Sequence, residues 1–461
     1  MTAADTADAT DAHSSLWRNP NFRRFFAGQF VTNAGDSLYT VAVLWLIFDL
    51  SGSTVLTGIA NSVLLLPWLL QIFAGPVVDR LPLKPVLVGS QVSQGIVVLV
   101  LPLAAVTGHL SVGVLLGVVP VLMLASLLMT PMEATVVPRI VSDGRLSRAN
   151  SALATVTLGL DMVFDALGGA FIAVFGATTL FLFDSATFAI AGLLFAGIAV
   201  SRHSDHDDAE QTTGPTDASP DRSDDATTPD STDSTTTEPT NESIFSSYVS
   251  DLRAGAAALR GTVFVELVLT TAVANLAAGV TLAILPAFGD TLGGPVAYGL
   301  LLGALGIGRL LGSLVAPYLE HVSYGRLVFV SNSTGACCWF AAVYAPSTAL
   351  TVVLFGLAWV PAGINGVLTS TLNQTVFPKD LLGRVSTAKG TASGATLPLG
   401  SLLGGFVAEG LGTTTTMAVA ALGFGFTGMY LLVRPQLRRL PAVADADPSA
   451  FGVTSLSGRE E

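Results

Sequence analysis

Long apolar runs alternate with short polar breaks along most of the chain. Runs of membrane-spanning length fall at about 25–49, 54–78, 84–107, 110–137, 148–175, 178–200, 262–288, 295–319, 325–345, 348–376, 385–409 and 412–433. The pattern predicts an all-α membrane protein with twelve transmembrane helices. One break stands apart. Residues 201–243 hold twelve acidic residues and two arginines among Asp, Ser, Thr and Pro, with almost nothing apolar. Such a stretch cannot bury enough surface to fold, so a disordered linker is expected there. Residues 244–261 after it read as an amphipathic helix on the inner membrane surface.

The linker divides the spans six and six, and the halves repeat. Asp49, Gly52, Gly58, Pro76 and Asp79 recur as Asp290, Gly293, Gly299, Pro317 and Glu320. TVVPRIVSDGR (135–145) resembles TVFPKDLLGR (375–384), and LGGAF (167–171) resembles LGGF (403–406). The order is kept, as in a duplicated six-helix unit, which in membranes marks transporters. The expected organisation is a tail to residue 21, one bundle over 22–200, the linker, the surface helix, a second bundle over 262–434 and a tail over 435–461.

Composition supports the membrane reading. Only 12% of residues are charged and 51% are hydrophobic; a soluble domain carries about 25% charged residues. Of the 21 Lys and Arg, all except Arg309 fall before span 1, after an even-numbered span, or beside those breaks. By the positive-inside rule both termini are then cytoplasmic, in a cell membrane. Nothing is basic enough for nucleic-acid binding. No G-x-x-x-x-G-K-[ST] loop, H-E-x-x-H or C-x-x-C occurs, so an ATP-driven pump, an enzyme, a metal site or a cofactor is not expected. The two cysteines, Cys337 and Cys338, are adjacent, a spacing that rarely meets disulfide geometry.

The loop after span 2 reads GPVVDRLPLKP, Gly75 to Pro85, with a counterpart GSLVAPYLEHVSYGR (312–326) after span 8. Gly75, Asp79, Arg80 and Lys84 resemble the G-x-x-x-D-R-x-G-R-R/K loop of the major facilitator superfamily. LWRNPNFRRFFAGQFVTNAGDSLYTVAVLWL (16–46), VPRIVSDGRLSRANSAL (137–153) and FDALGGAF (164–171) look like its drug-efflux branch, which includes macrolide and siderophore exporters. Phe164-Asp165 stands where that branch usually has Gly-Pro. The resemblance implies two pseudo-symmetric six-helix bundles rocking about a central cavity. Helices 1, 4, 7 and 10 would line it, with pairs 2/11 and 5/8 packing across the bundles. Asp79 would then meet the start of helix 11 and Arg384, closing a cytoplasmic gate to which Arg80, Lys84, Glu133 and Arg139 belong.

Four charges lie deep in the spans. At 1.5 Å per residue, Asp36 is about 18 Å beyond Arg24, Asp161 about 20 Å beyond Arg148, and Arg309 about 16 Å before Glu320. Asp165 is one turn from Asp161. A charge at the bilayer centre costs at least ~2.5–3.5 kcal/mol. Such residues pair or become protonated. Arg309 is the expected partner of Asp161 or Asp165, and one arginine cannot compensate three aspartates. A carboxyl that gains and loses a proton in a two-sided cavity can couple protons to transport; a fixed ion pair that locks one state is the competing reading. Asn33, Tyr39, Phe164, Asn275, Trp359 and Asn365 are candidate liners of a substrate cavity, as are Trp45, Met129, Met132 and Asn373.

The expected function is secondary active, proton-coupled efflux of amphipathic small molecules by a monomer in the bilayer. The alternative is a membrane sensor of the same fold that moves no solute. Deleting 205–240 should leave insertion and transport intact, because the remaining flexible chain still joins adjacent bundles. Loss of insertion on that deletion would reject the linker reading.

Overall fold

The computed structural model describes residues 16–78, 81–127, 129–199 and 241–453. The linker residues 201–240, and Asp79 and Arg80 of the loop motif, lie outside these. Among the described residues the chain is helical, with one isolated β-bridge, Ser323 to Ala442.

Among the described residues twelve helical segments follow in order, nine of them long and apolar enough to cross a membrane: α1 Pro20–Ser51, α2 Thr54–Val78, α3 Leu83–Val106, α4 Val112–Ile140, α5 Leu146–Phe175 and α6 Ala177–Ala196 in the first half. The second half holds α7 Phe264–Leu292, α8 Pro295–Val315, α9 Tyr324–Val343, α10 Thr348–Val376, α11 and α12 Thr413–Val433. α11 comes in two pieces, Lys379–Gly394 and Thr396–Leu411, parted at Ala395. Pro398 accounts for the break, since a proline ring clashes with the carbonyl four residues back. The 32-residue α1 shows how local sequence sets an end. The Asn19 side chain accepts from the backbone N–H groups of Asn21 and Phe22, Pro20 opens the first turn, and Gly52 closes the helix at φ 62°.

Each half packs as a six-helix bundle, α1 against α5 and α6 in one, α8 against α10 and α7 against α11 in the other. The chain ends and the loops after even-numbered spans share one side, the terminus side; the opposite one is the far side. Contacts between bundles cluster toward the far side, and glycine makes them. A Cβ on Gly58 of α2 would lie 2.6 Å from the Ser401 carbonyl of α11, and one on Gly405 2.5 Å from the Thr54 carbonyl. A Cβ on Gly169 of α5 would lie 2.0 Å from the Pro295 carbonyl of α8, and one on Gly299 2.7 Å from the Gly169 nitrogen. In the sequence repeat Gly58 corresponds to Gly299, and Gly169 to Gly405. The duplication has therefore built one contact twice, α2 on α11 and α5 on α8. Gly168, beside it, leaves room for Val41 of α1. Small residues let backbones approach where no side chain intervenes.

Polar groups staple the same end. Thr54 donates to the Gly405 carbonyl at 2.9 Å and to Glu409 at 3.2 Å; Asn61 donates to Ser401 at 2.7 Å. The Trp45 and Tyr298 rings stack at 6.0 Å. On the terminus side, Met129–Ile140 of α4 and Lys379–Gly394 of α11 pack within their own bundles. Among the described residues, the close contacts between the halves thus lie toward the far side.

Three terminus-side features add to the second bundle. The helix after the linker, Asn241–Leu259, docks on α11. Its Gly255 sits on the Arg384 carbonyl and Asp251 pairs with Arg384 at 2.9 Å. The C-terminal segment is ordered to Val453 and folds back under the second bundle. Tyr324 N–H donates to Pro441 O, Ala444 N–H to Glu320 O, and Phe451 is buried 5.8 Å from the Phe264 ring. Glu266 of α7 accepts from Arg434 beyond α12 at 3.1 Å.

A Gly169→Ala substitution tests the far-side contact. The new methyl meets backbone, which cannot rotate away, so α5 and α8 must separate. With Cys337 and Cys338 replaced by serine, spin labels at exposed Leu50 and Leu411 should report a longer far-side distance in the variant. An unchanged distribution would mean that this approach does not hold the far side shut.

Candidate functional site

Polar side chains inside the first bundle gather at one place. On α1, Gln29, Thr32, Asn33 and Asp36 recur three or four residues apart and share a face. They meet Gln91 and Gln94 of α3 and Ser126, Met129 and Glu133 of α4 around a cavity of about 190 Å³. The amides are fixed. Thr32 donates to Gln91 Oε1 at 3.1 Å, Gln91 reaches Met129 Sδ at 3.6 Å, Gln94 donates to Ser90 Oγ at 3.0 Å, and Asn33 donates to the Gln29 carbonyl at 2.7 Å. Two carboxyl groups, Asp36 and Glu133, face this cavity, and no lysine or arginine lines it. Glu133 thus belongs to the bundle interior and not to a surface gate with Arg139, which is exposed at the end of α4.

Three more carboxyl groups stand near this cavity or beyond it in the same bundle. Asp161 of α5 accepts from Ser37 of α1 at 2.9 Å. Asp165 is half-buried one turn further along α5. Asp184 of α6, expected to be a satisfied structural carboxylate, is fully buried against Gly35 of α1, and its Oδ2 has no partner among the described residues. The Tyr39 hydroxyl, one turn along α1, is likewise unpartnered, and its ring packs on Phe181 of α6. Tyr39 therefore belongs to the packed core.

The second bundle carries the opposite sign. Arg309 of α8 forms no ion pair with Asp161 or Asp165; among the described residues it has no ion pair at all. The expected partnership is absent for two reasons. Asp161 is turned toward Ser37 in its own bundle, and the glycine-mediated α5–α8 approach nearest to Arg309, Met162 against Gly306, lies one turn before it. Arg309 is exposed in a cleft of about 370 Å³ with Ser313, and with Gly363, Gly366, Ser370 and Thr371 of α10. A second cation, Lys389, lies inside α11. Its ammonium donates to Asn373 of α10 and lies 4.7 Å from the Phe264 ring centroid.

The remaining candidates divide. Asn33 lines the first-bundle cavity. Asn275 is spent on the Ser393 carbonyl of α11 at 2.9 Å. Trp359 is a core residue: its ring packs on Trp339, Phe355 and Phe424, 5.4–6.2 Å between centroids. Phe164 packs against the main core, and Asn365 keeps a buried, unpartnered Oδ1. Arg384 meets Asp251, while Asp79 and Arg80 lie outside the described residues. Lys84 is exposed in the first turn of α3. Gly75 lies in the last turns of α2.

Sequence reading overlooked the amides and the second cation. Gln29, one turn before Asn33, and Gln91 with Gln94 three apart in an apolar run were visible signals: buried amides in a membrane need partners. What the arrangement offers is a first bundle rich in carboxyl groups and a second bundle with two deep cations, Arg309 without an ion pair among the described residues and Lys389 held by Asn373 and Phe264.

Comparison with known proteins agrees with this architecture. Residues 25–395 match the family model of the Major Facilitator Superfamily. Over 147 residues the chain is 29% identical to the multidrug efflux pump Tap of Mycolicibacterium fortuitum; the match spans 32% of this chain and 36% of that relative. Among solved structures, a bacterial homologue of the human lysosomal transporter Spinster, inward-facing and occupied, superposes with a TM-score of 0.64 at 12% identity, covering 91% of this chain and 97% of that one. The nucleoside transporter NupG gives 0.63 at 13%, covering 89% and 98%. A bacterial homologue of the iron transporter ferroportin, inward-facing, gives 0.59 at 14%, covering 91% and 100%. At these identities the structures share the fold.

Proposed function

The chain belongs to the major facilitator superfamily and is a multi-pass membrane transporter of small molecules, not an enzyme; on that premise we propose that it exports amphipathic solutes in exchange for protons. The observation that carries this reading is the separation of charge. Asp36, Glu133, Asp161, Asp165 and Asp184 lie within the first bundle's spans, whose basic residues sit only at their terminus-side ends. An ionised group without a counter-charge in an apolar interior is costly, and taking up a proton relieves that cost. Five carboxyl groups with no resident cation are a reservoir for protons. The resemblance to Tap, a multidrug efflux pump by name, supports export.

The cycle follows from the two ends. With the terminus side in the cytoplasm, as the placement of basic residues favours, the described conformation is open inward. Solute enters between the bundles. Rocking about the far side brings the terminus-side halves of α5 and α8 together, and Arg309 approaches Asp161 and Asp165. The ion pair expected between them would form in the closed-inside state and part in the open one. Protonation of the aspartates, by removing their charge, would release Arg309 and favour reopening.

Vesicles with an imposed pH gradient and a fluorescent efflux substrate test this. Asp161→Asn and Asp165→Asn should each cut gradient-driven accumulation at least tenfold, on the order of the 1.4 kcal/mol that a tenfold change represents. Downhill exchange should persist. A sodium gradient should not replace the proton gradient. If both variants keep full coupling, these aspartates are structural and the proton site lies with Asp36.

A further inference from the structure

The four faces of α8 can be assigned one by one. Gly299, Gly303 and Gly306 pack on α5. Gly308 and Gly312 pack on α10, against the Gly356 and Val360 carbonyls. Leu300, Ile307, Leu311 and Leu314 form an exposed apolar stripe, the face for lipid. The stripe opposite it runs Tyr298, Leu302, Leu305, Arg309 and Ser313, spaced three or four residues apart. Arg309 therefore points away from lipid, into the space between the bundles, on the terminus side of the glycine-mediated α5–α8 contacts.

Among the described residues that guanidinium has no hydrogen-bond or ion-pair partner where α8 and α10 form the cleft, and no acidic residue lines it. Gly363 lies against the Arg309 carbonyl, whereas Gly366 leaves the α10 backbone bare: a Cβ there would meet nothing within 4 Å. The hydroxyls of Ser313 and Thr371 are bonded to their own helix carbonyls, and Ser370 accepts from Gln374. The guanidinium is the strong unused donor. Its planar fork matches the two oxygens of a carboxylate, and it carries its charge permanently.

We propose that Arg309, set in the α8–α10 cleft, is a subsite for the carboxylate of a transported amphiphile, so that the solutes carried include organic anions. The proposal rests on the transporter reading and adds the solute's charge. A solute carboxylate would take, in the inward-open state, the place that Asp161 or Asp165 takes after closure. The bare backbone at Gly366 admits an apolar body beside the anchored group.

The test uses the full chain in nanodiscs of neutral phosphatidylcholine, with dansyl-leucine and its uncharged isostere dansyl-leucinamide as probes, followed by dansyl fluorescence. The carboxylate should bind at least tenfold more tightly than the amide. Arg309→Gln should abolish that preference while leaving amide binding as it was, which also reports an intact fold; Arg309→Lys should keep a reduced preference. Gly366→Leu fills the cleft without touching the charge and should weaken both probes. Equal constants for the two probes, binding of neither, or a preference that survives in Arg309→Gln overturns the proposal. Repeating the titration with phosphatidylglycerol in the disc separates the other source of anion. If that lipid displaces dansyl-leucine, the cleft takes a headgroup and the solute assignment is wrong. Flux assays keep the two readings apart. A carboxylate preference with no flux of either probe would sustain the subsite and count against transport. Equal flux of both probes, unchanged in Arg309→Gln, would sustain transport and remove the subsite.

Discussion

A carboxylate in an apolar bundle needs a counter-charge, a set of donors or a proton. The first bundle supplies almost no cations at depth, and much of the structure answers that lack. Ser37 donates to Asp161. The cavity around Asp36 and Glu133 is walled by amides and a hydroxyl: Thr32 bonds Gln91, Gln91 reaches Met129, Gln94 bonds Ser90, Asn33 bonds the Gln29 carbonyl, and the Gln29 side chain bonds Glu133. Asp184 is left with one oxygen unanswered. The cations are on the other bundle, Arg309 in an open cleft and Lys389 against Asn373 and Phe264. Each bundle thus holds what the other lacks, and only movement of one against the other can bring the two sets together.

Glycine decides where that movement pivots. Backbone touches backbone at Gly58 with Ser401 and at Gly169 with Pro295 and Gly299, all toward the far side. The two contacts descend from one ancestral pair, since the repeat sets Gly58 on Gly299 and Gly169 on Gly405. Between these contacts and the terminus side the bundles carry bulkier and more polar residues. The docked helix Asn241–Leu259 and the folded-back segment to Val453 both brace the second bundle. They make it a stiffer body than its six spans alone.

The spans, the duplication and the family were legible because each rests on a property of the chain itself: run length, order of glycines, placement of Lys and Arg. Deep carboxylates were legible for the same reason, since ions in apolar runs are conspicuous. Partners were not. Depth along a helix placed Arg309 level with Asp161, yet contact depends on rotation about two axes and on how far the helices have parted. Asp161 faces Ser37, and Arg309 lies one turn past the nearest glycine-mediated approach. Trp359 looked like a cavity aromatic, but a tryptophan on α10 can face α9 and α12 as easily as the cavity, and it joins Trp339 and Phe424. Lys389 falls just inside the expected span 385–409, and the helix begins earlier still, at Lys379. Arg384 found Asp251 because the segment after the linker folds onto α11, a long-range contact that no local pattern announces.

The central claim is that the first bundle's aspartates, by gaining and losing protons, decide which side is open. The direct measurement is the terminus-side distance between spin labels at exposed Ser147 on α5 and Tyr318 after α8, with Cys337 and Cys338 replaced by serine. Raising the pH should shorten this distance, as ionised Asp161 and Asp165 draw Arg309 across. In a double Asp161→Asn, Asp165→Asn variant the distance should no longer respond to pH. A distance that ignores pH in the unaltered aspartate background, or that responds equally in the double variant, would contradict the account.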